Sequence, residues 1–322
     1  MTFWFKVLAF IFGIVFLINT FGPRETVDWT LSFQPDDIGD DPEAYLAQQE
    51  SLFDDIREGA QKEIIWAGST GAKTPFSVVY IHGFSASKGE IRPVPDRIAE
   101  SLGANLYFTR LTGHGRTGEA MAQATANDWL NDVAEAIAIG RKLGERVIVM
   151  ATSQGGTMTA MSAMDFALMT DVAGIVFVSP NFGIQNRGSF VLTTPFSRTW
   201  VPMVMGEERS FEPTNAQHEE WWTTRYPTKA LFPMAAAVEA AYSLPYDTVQ
   251  TPALFFLSDK DEVVRPKAIR EVEALWGGPS EIVALNLEPS DDPVFHVIAG
   301  DILSPSQNDP MVEKVLEWIS SL

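Results

Sequence analysis

A serine at a strand-to-helix turn, an acidic loop and a late histidine are the side chains of this chain that could do chemistry together. Ser153 lies in the run RVIVMATSQGG over residues 146–156, where an apolar, β-branched stretch leads straight into the serine and Gln154, Gly155 and Gly156 follow. Strand, sharp turn and helix in that order hold a hydroxyl clear of a sheet, the arrangement of a nucleophile elbow. A serine hydroxyl is a poor nucleophile unless a base and oxyanion donors stand beside it. The turn brings helix and strand close, so the positions two before and two after the serine must be small. They are Ala151 and Gly155, a G-x-S-x-G pattern with alanine for the leading glycine.

Four histidines are present: His82, His114, His218 and His296. A serine nucleophile needs one as general base, and the base needs a carboxylate to fix its tautomer. The chain order nucleophile, acid, histidine selects His296, in the loop EPSDDPVFHVIAG near the end of the chain. The acid is expected after the apolar segment Ala253–Leu257, where Asp259, Asp261 and Glu262 occur. Asp261 is the choice, because Val263 and Val264 can dock the loop inward and Ser258 is a small residue at the turn; Asp259 stands as the alternative. Acyl transfer also needs donors aimed at the developing oxyanion. The backbone N–H of Gln154, at a helix start, is one candidate. The other is the N–H of Phe84, in His82-Gly83-Phe84 after a buried strand, where Gly83 permits close backbone approach. His114, between two glycines, reads as structural, and His218 has no assigned role. Asp128 and Asp132 share a helix face and read as capping and surface charge. The sequence has no H-E-x-x-H, no P-loop and no G-x-G-x-x-G after a strand, so neither a metal nor another cofactor is expected.

The elements that must position these groups alternate. Strands are predicted at 63–67, 76–81, 105–111, the segment into Ser153, 174–179, 253–257 and 281–287. Helices are predicted from Asp41-Pro42 to near Gly59, and at 94–102, 127–143, 156–169, 266–275 and 309–319. Continuous apolar strands between helices imply a mostly parallel sheet covered on both faces. Ligands bind such sheets at the carboxyl ends of the strands, where every candidate residue falls. The alternation breaks between 181 and 247, a stretch rich in aromatics and without a clear strand, which suits a lid above the site.

The net charge of −19, from 23 basic and 42 acidic side chains, argues against nucleic-acid partners. The absence of cysteine excludes disulfides, thiolate metal sites and a cysteine nucleophile. Residues 3–22 are apolar apart from Lys6 and a polar Asn19-Thr20 near the end. This segment is read as an uncleaved membrane anchor with the catalytic body on the extracytoplasmic side; secretion after signal cleavage is the alternative. The resulting organisation is an anchor or signal segment at 1–22, a linker and helix at 23–60, a core at 61–180 and 248–322, and a cap at 181–247.

Taken together, the strand followed by His82-Gly83-Phe84, the loop Leu111-Thr112-Gly113-His114-Gly115, Ser153 in its elbow, Asp261 before Val263-Val264 and the late His296 resemble the α/β-hydrolase family. The resemblance is to its monoacylglycerol lipase and serine aminopeptidase-like branch, over residues 61–322. It implies a Ser153–Asp261–His296 triad, a cap inserted after the sixth strand, and a serine hydrolase acting on lipid-derived or small acyl esters. An amidase or peptidase with the same triad and a non-catalytic binding protein are the rival readings. Ala151, and Ser258 where the family usually has glycine, depart from the pattern without removing a reactive group.

Overall fold

The computed structural model describes residues 2–322. Nine strands and eleven α-helices follow in chain order. They are α1 (Thr2–Phe21), α2 (Pro42–Glu50), β1 (Glu63–Ile65), β2 (Thr74–Ile81), α3 (Val94–Leu102), β3 (Asn105–Phe108), α4 (Gly118–Met121), α5 (Ala126–Leu143), β4 (Gly144–Thr152), α6 (Ser153–Ser162), β5 (Val172–Val178), α7 (Ser197–Met205), β6 (Glu208–Ser210), α8 (Ala216–Trp221), β7 (Arg225–Pro227), α9 (Leu231–Tyr242), β8 (Ala253–Leu257), α10 (Pro266–Glu273), β9 (Ser280–Ala284) and α11 (Asn308–Ile319). Seven strands form one sheet in the order β1-β3-β2-β4-β5-β8-β9. Within this sheet only the pairing of the short edge strand β1 with β3 is antiparallel; β3, β2, β4, β5, β8 and β9 run parallel.

Residue alternation along the strands divides the core in two, because successive side chains leave a strand on opposite faces. Val79, Ile81, Val147, Val149, Ala151, Phe177 and Phe255 bury against α5, α6, α9 and α10. Val78, Tyr80, Ile148, Met150, Val176, Val178 and Phe256 bury against α3 and α11. The strands are apolar on both faces because helices cover both, and this is why they read as unbroken apolar runs rather than as alternating ones.

Several expectations are corrected. The first helix of the body ends at Glu50 rather than near Gly59. Beyond it, the Arg57 N–H donates to Gly115 O at 2.8 Å and its guanidinium to Trp222 O at 2.9 Å, so tertiary hydrogen bonds replace helical ones. Helix α6 starts at Ser153 itself and stops at Ser162, not 156–169; Asp165 then accepts the N–H groups of Ala167 and Leu168 in a separate turn. The 181–247 insertion carries the small antiparallel pair β6–β7, which its composition did not reveal. It follows the fifth strand of the chain, one fewer than the resemblance implied, since only β1 precedes β2. Asp132 is buried rather than a surface charge, and accepts the N–H and hydroxyl of Thr112. Asp128 does cap α5, in a reciprocal box with Thr125.

Residues 23–34 have no regular secondary structure and Pro35–Ile38 form a 3-10 turn, but the segment is strapped down. Asn131 Oδ1 accepts the N–H groups of Ser32 and Phe33, both at 2.8 Å, and Asn127 Nδ2 donates to the carbonyls of Asp28 and Thr30. Two amide side chains one turn apart on α5 thus hold a segment that makes no regular ladder. Replacing both, Asn127→Ala with Asn131→Ala, is expected to destabilise the fold by only about 1–2 kcal/mol, since these bonds are solvent-accessible. Chymotryptic cleavage after Trp29 and Phe33 should accelerate strongly. Unchanged cleavage would show that the strap is held by something other than these amides.

Candidate active site

Strand β4 passes into α6 with no residue between them, and Ser153 takes φ +48° to make the turn. A β-substituted residue in this left-handed region carries strain of about 1–2 kcal/mol, which its surroundings must hold. Gly155 permits the approach: a Cβ there would lie 2.4 Å from Ile81 O and 2.6 Å from His82 O. Ala151 is fully buried within the core, so a methyl group is accommodated at the position where the pattern has glycine. The Ser153 carbonyl accepts the Asn181 N–H at 3.0 Å, which ties the elbow to the end of β5.

The structure brings the three distant candidates together. His296 Nε2 lies 3.0 Å from Ser153 Oγ, and His296 Nδ1 lies 2.8 Å from Asp261 Oδ2. Asp261 is buried, and its other oxygen accepts the N–H groups of Val263 and Val264 at 2.8 Å each, which leaves Oδ2 for the imidazole. Of the expected apolar pair only Val264 docks inward; Val263 is exposed. The alternative acid Asp259 faces outward and pairs with Arg270 at 2.8 Å. Acid and base loops are joined by the Glu262 N–H to Val294 O bond, 3.0 Å.

The loop carrying His296 is shaped by a residue that the sequence reading passed over. Buried Asp292 accepts the N–H groups of His296 and Val297 at 2.9 and 2.8 Å, closing a turn in which Phe295 has φ +58°. Its signal was present: an Asp-Pro dipeptide favours turn initiation. Burial alone pulls the His296 pKa down, but the charge of Asp261, its hydrogen bond, and the charges of Asp292 and Glu90 outweigh that, and the net shift is upward from 6.5. An imidazolium formed by accepting a proton from Ser153 is therefore well supported.

Gln154 follows the nucleophile in the first turn of α6, where N–H groups have no helical acceptor. Phe84 is set by its peptide. The Gly83 carbonyl accepts His82 Nδ1–H at 2.9 Å and the Ala86 N–H at 3.3 Å. In a trans peptide the N–H points opposite the C=O, so the Phe84 N–H is turned away from those partners. Among the described residues it meets no backbone acceptor. A Cβ on Gly83 would sit 3.1 Å from Ser153 Cβ, so this loop lies directly against the nucleophile. Both candidate donors thus flank the serine. His82 is structural: its Nε2 accepts the Leu111 N–H, and burial, with His114 beside it, holds its pKa well below normal. His114 is buried too, bonded to Thr112 O, with its pKa pushed down to about 4 by burial. His218 packs in the insertion against Trp222.

The insertion touches both halves of the site. Ile184 bridges Val264, and the Gln185 N–H donates to Val263 O beside the acid. On the other side the Thr223 N–H donates to Ser85 O at 2.7 Å, and Tyr226 meets the Phe84 ring edge-on at 5.4 Å. Within the insertion, Ile184, Val191, Leu192, Val201, Leu231 and Met234 line a mainly apolar cavity of about 140 Å³. Met234 also meets Asn181, the residue hydrogen-bonded to Ser153 O. No cluster of three or more His, Asp or Glu fit to hold a metal occurs among the described residues.

Two substitutions separate the acids. Asp261→Asn keeps the shape of the carboxylate but supplies the wrong tautomeric partner, and should lower kcat by about 10⁴. Asp259→Asn should leave it within about twofold, as expected for an exposed pair. Equal effects in steady-state assays would mean that the acid is misassigned. A histidine raised above 6.5 must be neutral to act as base, so kcat/KM should climb with pH through a midpoint above that value. Its stabilising contribution runs the other way: complete below the unfolded pKa and lost as pH rises through the folded one.

A family model described as serine aminopeptidase, S33, matches residues 72–277. A thermostable monoacylglycerol lipase from a Bacillus species is 26% identical over 247 residues, covering 76% of this chain and 91% of that protein. Among solved structures, that of the metagenome-derived lipolytic enzymes LipS and LipT superposes with a TM-score of 0.67 at 22% identity, over 83% of this chain and all of the other. A soluble variant of monoglyceride lipase from Saccharomyces cerevisiae gives a TM-score of 0.58 at 12% identity, over 82% and 92% of the two chains. The family match runs from the first parallel strand through the elbow, the insertion and the acid loop. A correspondence of that extent is a shared architecture rather than a shared motif, and the chain belongs to the serine aminopeptidase (S33) family, on the α/β-hydrolase fold.

Proposed function

We propose that this chain is a serine hydrolase that cleaves carboxylic esters of the monoacylglycerol type through an acyl-enzyme on Ser153. The observation that carries the reading is the continuous relay Ser153 Oγ, His296, Asp261, with bonds of 3.0 and 2.8 Å. Ser153 Oγ attacks the ester carbonyl as His296 Nε2 takes its proton. Asp261 holds Nδ1–H and stabilises the imidazolium. The carbonyl oxygen, now negative, is held by the N–H groups of Gln154 and Phe84. His296 returns the proton to the departing alkoxide, and water repeats the steps on the acyl group. The apolar cavity near Met234 supports an aliphatic acyl chain, and the Bacillus relative supports a glycerol ester. No step asks for a cofactor.

The reading extends to a membrane. Helix α1 has 20 residues, enough for about 30 Å. Its Phe3–Phe21 stretch has mean hydropathy 2.0 and is not buried against the body. The chain leaving it is fastened to the cap: the Phe196 N–H donates to Pro23 O, Arg24 donates to Thr193 O, and Arg198 pairs with Glu25. Phe190, Phe196, Met203 and Val204 are exposed in the same part of the cap. These features support a body anchored by α1 with its cap toward the bilayer, and the extracytoplasmic side is the orientation proposed for it. Secretion after signal cleavage is the outcome to test against it.

Wild type should react with a fluorophosphonate probe and hydrolyse p-nitrophenyl esters and monoacylglycerols, with kcat/KM rising with chain length; Ser153→Ala should do neither. Faster cleavage of aminoacyl amides than of esters would transfer the assignment to a peptidase. Carbonate extraction of membranes should leave full-length protein in the pellet and release a form lacking residues 1–22. A soluble product of reduced mass from the full-length gene would instead point to a cleaved signal.

A further inference from the structure

Beneath the oxyanion loop lies a buried carboxyl that the proposed mechanism does not use. Glu90 is 2% exposed. Its Oε2 accepts the Gly83 N–H at 2.7 Å and the Tyr80 hydroxyl at 2.8 Å, and the same hydroxyl meets Thr152 Oγ1 at 3.1 Å, one residue before the nucleophile. Its Oε1 lies 2.7 Å from where a Cβ on Gly83 would sit, and Ser153 Cβ lies 3.1 Å from the same point. The carboxyl and the nucleophile therefore flank one backbone position.

We infer that Glu90 is a positioning residue for catalysis, holding the oxyanion loop by the Gly83 N–H and placing a further negative charge, beyond Asp261 and Asp292, within reach of His296. The inference deepens the hydrolase reading above and rests on it. Two peptide planes fix the Phe84 N–H. Glu90 holds the N–H of the first, and His82 Nδ1–H holds the carbonyl of the second. Without Glu90 the first plane is free to turn, and misplacement by about 1 Å costs about 100-fold in rate.

The electrostatic half rests on what surrounds the carboxyl. Lys88 and Arg92, on its own loop, both turn to Glu63, and Arg92 also pairs with Asp96. From the insertion, Trp221 packs on Gly89 and accepts the Ser87 hydroxyl, and Thr223 bonds Ser85. Strand β2 contributes Tyr80 and a neutral His82, while the base loop contributes His296 and Asp292. His296 is thus the titratable cation that faces it. Burial pushes the Glu90 pKa up to about 7, against the pull of the Gly83 and Tyr80 bonds and of His296. An acid raised in the fold withdraws stability as pH rises from its unfolded value of 4.5 to about 7, and the loss then stays constant at higher pH. A purely structural role would be served better by an amide, which offers an acceptor oxygen without that penalty.

The test compares full-length wild type, Glu90→Gln, Glu90→Ala and Tyr80→Phe. The readouts are the pH dependence of fluorophosphonate labelling, kcat and KM on a short p-nitrophenyl ester, and Tm at pH 8. Glu90→Gln should keep or raise Tm, since it removes a buried charge, and should move the acid limb of labelling down by about half a pH unit or more as His296 loses a neighbouring anion. Glu90→Ala should lower kcat by about 100-fold with KM little changed. Tyr80→Phe, which removes a donor to the carboxylate, should raise the Glu90 pKa, leave less of it ionised and reproduce part of the shift if the amide variant does not fold. Wild-type pH profiles in both Glu90→Gln and Tyr80→Phe would overturn the inference while wild type still labels. Failure of wild type to label would remove the hydrolase reading itself.

Discussion

The turn at Ser153 is the constraint on which the rest depends. A strand that becomes a helix without a connecting residue must reverse within one backbone position, and that position takes a left-handed φ. The geometry is unfavourable locally, so neighbours on every side are recruited to hold it. Gly155 has no side chain because the carbonyls of β2 occupy its space, and Asn181 anchors the serine carbonyl from β5. Two strands on either side of β4 thus close on one residue. The hydroxyl is raised from the sheet edge, and the first N–H groups of α6 stand behind it.

Around that point the charges are few and each is balanced by geometry. Asp261 divides its two oxygens between backbone and imidazole, and Asp292 spends its hydrogen bonds on shaping the turn that carries the base. A buried anion without hydrogen bonds is very costly, and both are supplied with N–H groups. Glu90 has the Gly83 N–H and the Tyr80 hydroxyl but makes no salt bridge with the cations on its own loop. Asp132, raised to about 7 by burial, has Lys62 as a nearby cation and serves to hold Thr112.

The 181–247 insertion is built into this arrangement rather than laid over it. It bonds to the candidate acid's loop through Ile184 and Gln185 and to the loop around the candidate donor Phe84 through Thr223 and Trp221. It therefore touches both halves of the candidate triad's surroundings. Its other side receives the chain from α1, so the same small subdomain links the apolar N-terminal helix to the reacting centre.

The sequence by itself determined what depends on local rules. The β-branched runs, the elbow pattern around Ser153 and the order serine, aspartate, histidine were legible because strand propensity, tight-turn sterics and chain topology act over a few residues. Even the choice of Asp261 over Asp259 followed from the apolar residue that pulls one end of the loop inward. What the sequence could not decide were contacts made by groups far apart in the chain. Glu90 reads as an ordinary loop charge until Tyr80 and Gly83 close over it, and Asp132 reads as a surface residue until Thr112 is folded onto it. The β6–β7 pair is three residues on each strand, too short to leave a periodicity. Helix α2 stops at Glu50, and the following segment is tied instead by Arg57 to Gly115 and Trp222, groups far off in the chain. Burial is a property of the assembled fold, and it is burial that turns a common carboxylate into an unusual one.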